Sequence, residues 1–581
     1  MRASGTDSGE RRLAGLQTTG RSYRNLSAAS FEIASEVNVA IRMRDGIDLH
    51  ADVHRPAQDG RFPALVAISP YPRQIQHLGL PLGFIEAGQT DFFVPRGYAH
   101  VIANCRGTGG SGGTYELMGP AELGDVYDLI EWVAAQPWCD GRVGMIGVSY
   151  FAVEQFRAAL AAPPHLGAIF PWSGTVDWYR EIFWHGGILS GRFAGRYLNA
   201  IGMADRKNGD FFRGPALSAL NRLLQLPALH RRLARAKNDP IGMLNRALIL
   251  PYAAHPWDDI YYNIAVEHPF YDDFWRERDM TDRLGEIRIP VYLGADWENV
   301  AFHLQTPFLA LERLAAGTPY RVAMTPRGGL QWPWETLHVE ALAWFDHWLK
   351  GRDTGIMEGP PIRYYVEGAE EWRAAECWPL PETRFTELAL RADGGLGIAA
   401  GAEGARDYLN LPAALDRARN TNPPPLPSSL SWDTSPFADA MELVGPLTLR
   451  LCAASTAIDA DWIVKLLDIA PDGTARNLTQ GWLRASHRAL DPRRSKPYHP
   501  WHPHERAEPL TPNQKTWFEI AILPTAHRFR PGHRLRFALT SDDSDGFAMQ
   551  GVSHIGVGLP ARHRVFSDSR LRVPLVAGSL S

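Results

Sequence analysis

"GRVGMIGVSYFAVEQFRAAL" runs from Gly141 to Leu160. Its first half is a short apolar run, as in a buried strand; its second half is small and amphipathic, as in a helix. Between them lies Gly147-Val148-Ser149-Tyr150-Phe151-Ala152. Gly-x-Ser on a strand-to-helix turn is the pattern of a nucleophile elbow, where a strained backbone exposes the serine at the end of a sheet. Strand and helix approach closely there, so the flanking residues must be small. Gly147 meets that need. Phe151 stands at the plus-two place, and the next small residue is Ala152. A serine at this junction also suits a helix N-cap, so the turn by itself leaves both readings open.

Similar apolar runs lie on either side. They are "ALVAIS" (64–69), "AHVIAN" (99–104), "GAIFPW" (167–172) and "IPVYLGA" (289–295). Continuous apolar strands separated by helical stretches indicate a parallel sheet covered on both faces. "PAELGDVYDLIEWVAAQPW" carries Leu123, Val126, Tyr127, Ile130 and Val133 at helical spacing, and the helix ends before Pro137. Upstream, "VNVAIRMRDGIDLHADVHRP" alternates around Asp45-Gly46, which predicts a hairpin with a two-residue turn. Residues 177–284 hold Arg-rich amphipathic helices and few strand signals, in the place of an inserted cap. Beyond "ALAWFDHWLKG" (341–351) strands dominate: "IRYYVEG", "LTLRLCA", "DWIVKLLDIAPDG", "WFEIAIL" and "HRLRFALT". They predict an antiparallel β-sandwich of jelly-roll type. The expected organisation is a disordered tail (1–30), an α/β domain (31–176 with 285–355), a helical cap (177–284) and a β jelly roll (356–581).

A chain of 581 residues calls for two or three domains. Its net charge of −4 offers no basic footprint for nucleic acid or an anionic membrane. No apolar run reaches the roughly 18 residues of a membrane span, and the polar N-terminus lacks the apolar middle of a secretory signal. Cys105, Cys139, Cys377 and Cys452 are isolated, which argues against a zinc site or disulfide framework and suits a reducing cytoplasm. "CRGTGGSGG" (105–113) has neither the ending of a P-loop nor dinucleotide spacing; it reads as a tight loop beside the elbow. The four histidines of "SHRALDPRRSKPYHPWHPHER" (486–506) do not form a closed metal set. That segment reads as an exposed loop crossing between domains, and His185 as part of the cap entrance. Neither cofactor nor metal is expected.

The run "GDVYDLIEWVAAQPWCDGRVGMIGVSYFA" (124–152) resembles the X-Pro dipeptidyl peptidase and cocaine esterase (CocE/NonD) family of α/β-hydrolases, whose elbow reads Gly-x-Ser-Tyr-x-Gly. Gly147, Ser149 and Tyr150 match, with Ala152 at the last glycine. "ANCRGTGGSGG" (103–113) resembles the family's Asp-x-Arg-Gly-x-Gly-x-Ser-x-Gly loop, with Asn104 at the Asp place. "AWFDHWLKG", "LRASHR", "FRPGHRLRFAL" and "SRLRVPL" resemble its later segments, so the likeness covers about residues 35 to 580. It implies an α/β-hydrolase fold with an inserted helical cap and a C-terminal antiparallel jelly roll. It also implies cofactor-free hydrolysis of a small ester or amide through an acyl-enzyme, and a homodimer. Ser149 would be the nucleophile, with the Tyr150 N–H and, from "AISPYPR", the Tyr71 hydroxyl at the oxyanion. Trp178, Phe183 and Trp184 would line the substrate pocket. On the residues alone, Tyr71 is a strand-end aromatic and the other three are cap core.

Two usual triad places differ. In "IPVYLGADWENVAFH" Trp297 aligns and the acid place falls on Asn299, beside Glu298 and Asp296; in "AMTPRGGLQWPWETLHVEAL" the histidine place falls on Gly329. A serine hydroxyl without a base loses several orders of magnitude in rate. Three readings follow. His338 serves as a relocated base oriented by Glu298 or Asp296, with His303 as a second candidate and a first-turn helix residue as the plainer reading of His338. Alternatively the fold is a catalytically weak or non-hydrolytic homologue that binds a small acyl compound. Or the pocket performs altered acyl-transfer chemistry.

Overall fold

The computed structural model describes residues 18–78, 86–202, 257–298, 301–327, 333–411, 426–543 and 553–580. The predicted hairpin joins β1 (Ile33–Arg42) to β2 (Asp48–Pro56). Its loop has three residues rather than two: Met43 N–H bonds the Ile47 carbonyl at 2.9 Å, and Gly46 takes the left-handed position at φ 86°. The apolar runs become β3 (Phe62–Ser69), β4 (Ala99–Asn104), β5 (Cys139–Val148), β6 (Leu166–Trp172), β9 (Val291–Asp296) and β10 (Tyr320–Thr325). Between β6 and β9 the chain forms a small hairpin, β7 (Trp184–His185) with β8 (Ile188–Leu189).

With β11 (Ile362–Val366) and β12 (Glu371–Ala375), the first sheet runs β1-β2-β4-β3-β5-β6-β9-β10-β11-β12 and is parallel from β4 to β11. Helices cover both faces. On one side α1 (Pro120–Ala134) buries Val126, Leu129, Ile130 and Val133 beside α2 (Tyr150–Ala161). On the other, α4 (Pro333–Lys350) packs Ala341, Leu342, Phe345 and Leu349 against Leu65, Ile146, Val148 and Phe170. Of the cap segment, residues 177–202 and 257–284 are described and include helix α3 (Gly191–Gly202); the rest of that expectation lies outside the described residues. The C-terminal part forms a second, eleven-stranded antiparallel sheet around Leu449, Leu451, Trp462, Val464 and Phe537, a jelly-roll-like domain.

Three expectations are corrected. Residues 18–30 are not a loose tail; they dock on α4. Glu340 and Asp346 are buried carboxylates and need donors. Thr19 N–H and Tyr23 hydroxyl bond Glu340 at 2.9 and 2.6 Å, and Ser27 N–H and hydroxyl bond Asp346 at 2.6 and 2.8 Å. Second, "IRYYVEG" does not start the jelly roll. As β11 (Ile362–Val366) it pairs in parallel with β10, and β12 (Glu371–Ala375) closes that edge. Third, the histidine segment 486–506 is not an exposed loop, because His487, Trp501, His502 and His504 are buried in it.

Candidate active site

β5 delivers the chain to Ser149 and α2 takes it away. Ser149 has φ 59° and ψ −118°, a strained conformation for any residue with a side chain. Its N–H bonds the Trp172 carbonyl at 3.1 Å, and its carbonyl accepts from Ala152 and Val153 N–H at 2.9 and 3.0 Å. Gly147 explains the crowding: a Cβ there would lie 2.3 Å from the Phe151 Cβ. These contacts leave the half-buried Ser149 side chain at the head of the sheet.

Tyr71 follows β3 and is buried. Its N–H bonds the Ser69 hydroxyl at 3.0 Å, and Asn104 Nδ2 donates to its carbonyl at 2.6 Å. Asn104, at the family's Asp place, also accepts from the buried Arg73 at 2.9 Å. The Tyr71 ring meets Tyr150 edge-on at 6.0 Å and Phe151 at 5.8 Å, which sets it beside the elbow. Burial holds the Tyr71 hydroxyl protonated, well above the usual tyrosine range. It is therefore a donor, and it lies 3.5 Å from the Tyr197 hydroxyl on α3. Tyr197 was missed from sequence; nothing in its helix distinguishes it from other amphipathic positions.

Tyr150 is fixed from beneath. Tyr115 hydroxyl donates to Tyr150 hydroxyl at 2.9 Å, and Tyr150 donates to Glu122 Oε2 at 3.2 Å. Glu122, Glu154 and Cys105 are the group with metal-ligand spacing among the described residues, with donor atoms within 4.8 Å of one another. Arg157 already places a cation 3.6 Å from Glu154. Burial pushes both carboxyls and the thiol toward their protonated forms, which disfavours the anionic ligands a metal ion needs.

The other expected site residues divide. Trp178 meets Tyr150 edge-on at 5.9 Å and stacks on Phe183 at 5.8 Å, so both stand by the elbow. Trp184 stacks on Tyr179 and donates its indole N–H to the Ile264 carbonyl at 3.1 Å, inside the cap. His338 is buried on α4, stacked on Phe92 at 4.7 Å. His303 lies 3.4 Å from the Thr175 hydroxyl, and burial pushes its pKa down to about 3. Glu298 donates its N–H to Asp296 Oδ1 at 2.8 Å at the end of β9. Asn299 and Gly329 lie outside the described residues. Among the described residues, no imidazole is hydrogen bonded to Ser149.

The oxyanion role that the family resemblance implies for Tyr71 can be tested by itself. Tyr71→Phe is expected to lower kcat on an ester substrate by about 10²- to 10³-fold with little change in KM. A loss below tenfold in a folded variant would remove Tyr71 from that role.

A strained serine at the head of a parallel sheet, under a cap and beside a jelly-roll-like domain, defines an α/β-hydrolase. Family comparison agrees. The X-Pro dipeptidyl-peptidase (S15) family matches residues 45–326, and the family's C-terminal non-catalytic domain matches residues 354–555. The cocaine esterase of Rhodococcus sp. (strain MB1 Bresler) is 29% identical over 565 residues, 88% of this chain and 91% of that protein. A putative serine esterase of Mycobacterium bovis is 27% identical, over 88% of this chain and 90% of its own length. The crystal structure of a CocE/NonD family hydrolase from Staphylococcus aureus superposes with a TM-score of 0.74 at 24% identity, covering 97% of this chain and all of that one. The chain belongs to the X-Pro dipeptidyl-peptidase (S15) family of serine peptidases and esterases. None of its described helices is long and apolar enough to cross a membrane.

Proposed function

We propose that this protein hydrolyses a small ester or amide through an acyl-enzyme on Ser149. The observation that carries the reading is the strained Ser149 turn, with the buried Tyr71 ring packed against Tyr150 and Phe151 of the same elbow. Ser149 Oγ attacks the carbonyl carbon, and its proton passes to a base. The oxyanion takes hydrogen bonds from the Tyr150 N–H and the Tyr71 hydroxyl. The base then returns the proton to the leaving group, and water releases the acid by the reverse sequence. Trp178 and Phe183 wall the acyl side, with Trp184 behind them. His338 is the base in this reading and Glu298 orients it. The four free thiols fit a reducing compartment.

A second reading has one observation in its favour: no described imidazole bonds Ser149. In that reading the pocket binds an acyl compound with little or no turnover.

Fluorophosphonates label serines that a base activates, so intact mass separates the two. The first reading expects one adduct on the wild type and none on His338→Ala. An adduct that persists on a folded His338→Ala removes His338 from the mechanism. No adduct on the folded wild type moves the conclusion to the binding reading.

A further inference from the structure

His185 of the cap hairpin and, far from it in sequence, His554 and Asp543 form one chain where the hairpin meets the jelly-roll-like domain. His185 Nε2 lies 3.0 Å from the Glu181 carbonyl, and His185 Nδ1 lies 2.8 Å from His554 Nε2. His554 Nδ1 lies 2.7 Å from Asp543 Oδ2, while the His554 N–H donates to Asp543 Oδ1 at 2.8 Å. The side chains of His554 and Asp543 are 1% and 0% exposed, and His185 is buried.

The protons in this chain can be counted. Both ends, a carbonyl and a carboxylate, only accept hydrogen bonds. Three hydrogen bonds therefore need three ring protons. Two neutral imidazoles bring one each, which makes two. We infer that the His185–His554 pair carries one extra proton, held as a His554 imidazolium against the Asp543 carboxylate, and that this proton latches the cap hairpin to the C-terminal domain. Removing it leaves two ring lone pairs facing each other, or one facing the carbonyl, in a buried place where an unmade hydrogen bond is costly.

The surroundings agree with this assignment. Burial pushes His185 down to about 3, so it stays neutral. Burial alone would raise Asp543, yet the bond to His554 holds its carboxyl below the usual range. Arg484 approaches from the second sheet, its N–H on the Gly186 carbonyl at 2.8 Å and its guanidinium 3.3 Å from the Ile555 carbonyl, but Asp461 already neutralises it at 2.9 Å. Glu181 faces away onto Thr306, and His487 sits beside Gly187. The Trp482 ring stacks on His185 at 4.8 Å and lies 5.6 Å from His554. Next to the latch Ile555 N–H bonds the Leu189 carbonyl at 2.8 Å. His185 also borders a pocket lined by Phe302, His303, Trp482 and Trp501. The latched hairpin follows directly on Trp178 and Phe183, so it braces the wall beside the elbow.

Asp543→Asn gives a sharp test because the count changes. The amide Oδ1 still accepts from the His554 N–H, and its NH₂ donates to His554 Nδ1. Two neutral imidazoles then complete the chain with no extra proton. Hydrogen exchange of the Ile555 and Arg484 amides, corrected for intrinsic rates, is measured from pH 6 to 10. The wild type is expected to lose protection about tenfold per pH unit above a single-proton midpoint, and Asp543→Asn to stay protected throughout. An equal loss in both proteins, or none in the wild type, would overturn the latch. Should the variant fail to fold, histidine ¹⁵N spectra of the wild type at pH 7 decide: three ring N–H protons on the pair support the inference, and two overturn it.

Discussion

Ser149→Ala is expected to lose about 10⁴-fold or more of kcat/KM on whichever ester or amide the wild type cleaves fastest. The loss should fall on kcat, because the hydroxyl is used only once the carbonyl is attacked. The fluorophosphonate adduct should vanish with it. The same position carries a stability signature. At φ 59° and ψ −118° every residue with a Cβ is strained, at a cost of about 1–3 kcal/mol. Ser149→Gly removes the Cβ and should raise Tm relative to Ser149→Ala, in a protein equally inactive. An inactive but stabilised glycine variant would show that strain is maintained for the sake of the hydroxyl. Turnover within tenfold of wild type in Ser149→Ala would mean that the chemistry does not pass through this serine.

A second large effect concerns Glu181, buried at the foot of the cap. Its Oε1 accepts from Val176 and Asp177 N–H at 3.1 Å each, and its Oε2 lies 2.8 Å from the Thr306 hydroxyl, which in turn accepts the Val176 N–H at 3.1 Å. The Thr306 hydroxyl donates to this carboxyl, which favours its ionised form, but the cost of burying the charge outweighs it. Burial, the main cause, pushes Glu181 up to about 8. The sign follows from linkage. The unfolded chain releases this proton near pH 4.5 while the folded chain keeps it, so the contribution to stability is full below that pH. It is lost as pH rises toward about 8, by up to ~5 kcal/mol if the whole shift is expressed. Gln places an amide where the protonated carboxyl stood and does not titrate. Denaturant unfolding should therefore show Glu181→Gln gaining on the wild type steadily from pH 5 to pH 8, with little difference at pH 4.5. A constant difference across that range would show that Glu181 is already ionised in the folded protein.

The C-terminal domain shows how one chain of inference can hold while its details shift. Alternating strands and turn residues made a β-rich domain legible from sequence. "IRYYVEG" carries the same strand signal, yet it pairs in parallel with β10 and extends the first sheet. Period-2 patterning says that a segment is a strand; it does not say which edge will take its hydrogen bonds. The N-terminal segment failed in the opposite direction. Residues 18–30 are polar enough to read as a tail, and they are ordered by carboxylates on a helix more than 300 positions away.

By itself the sequence determined what local chemistry can encode. Apolar runs of strand length specify the parallel sheet, Gly147 and Ser149 specify the strained turn between β5 and α2, and the motif at Tyr71 marks a hydroxyl at the end of β3. Each depends on residues within a few positions of one another. Only the tertiary structure decided the contacts made across hundreds of residues. It set Tyr197 against Tyr71, stacked His338 on Phe92, and joined His185 to His554 and Asp543. A lone polar residue has the same local signature whether it serves a site, a stack or a latch. Its role is fixed by which donors, acceptors and rings the packed fold brings within reach, and those distances do not exist until the chain has folded.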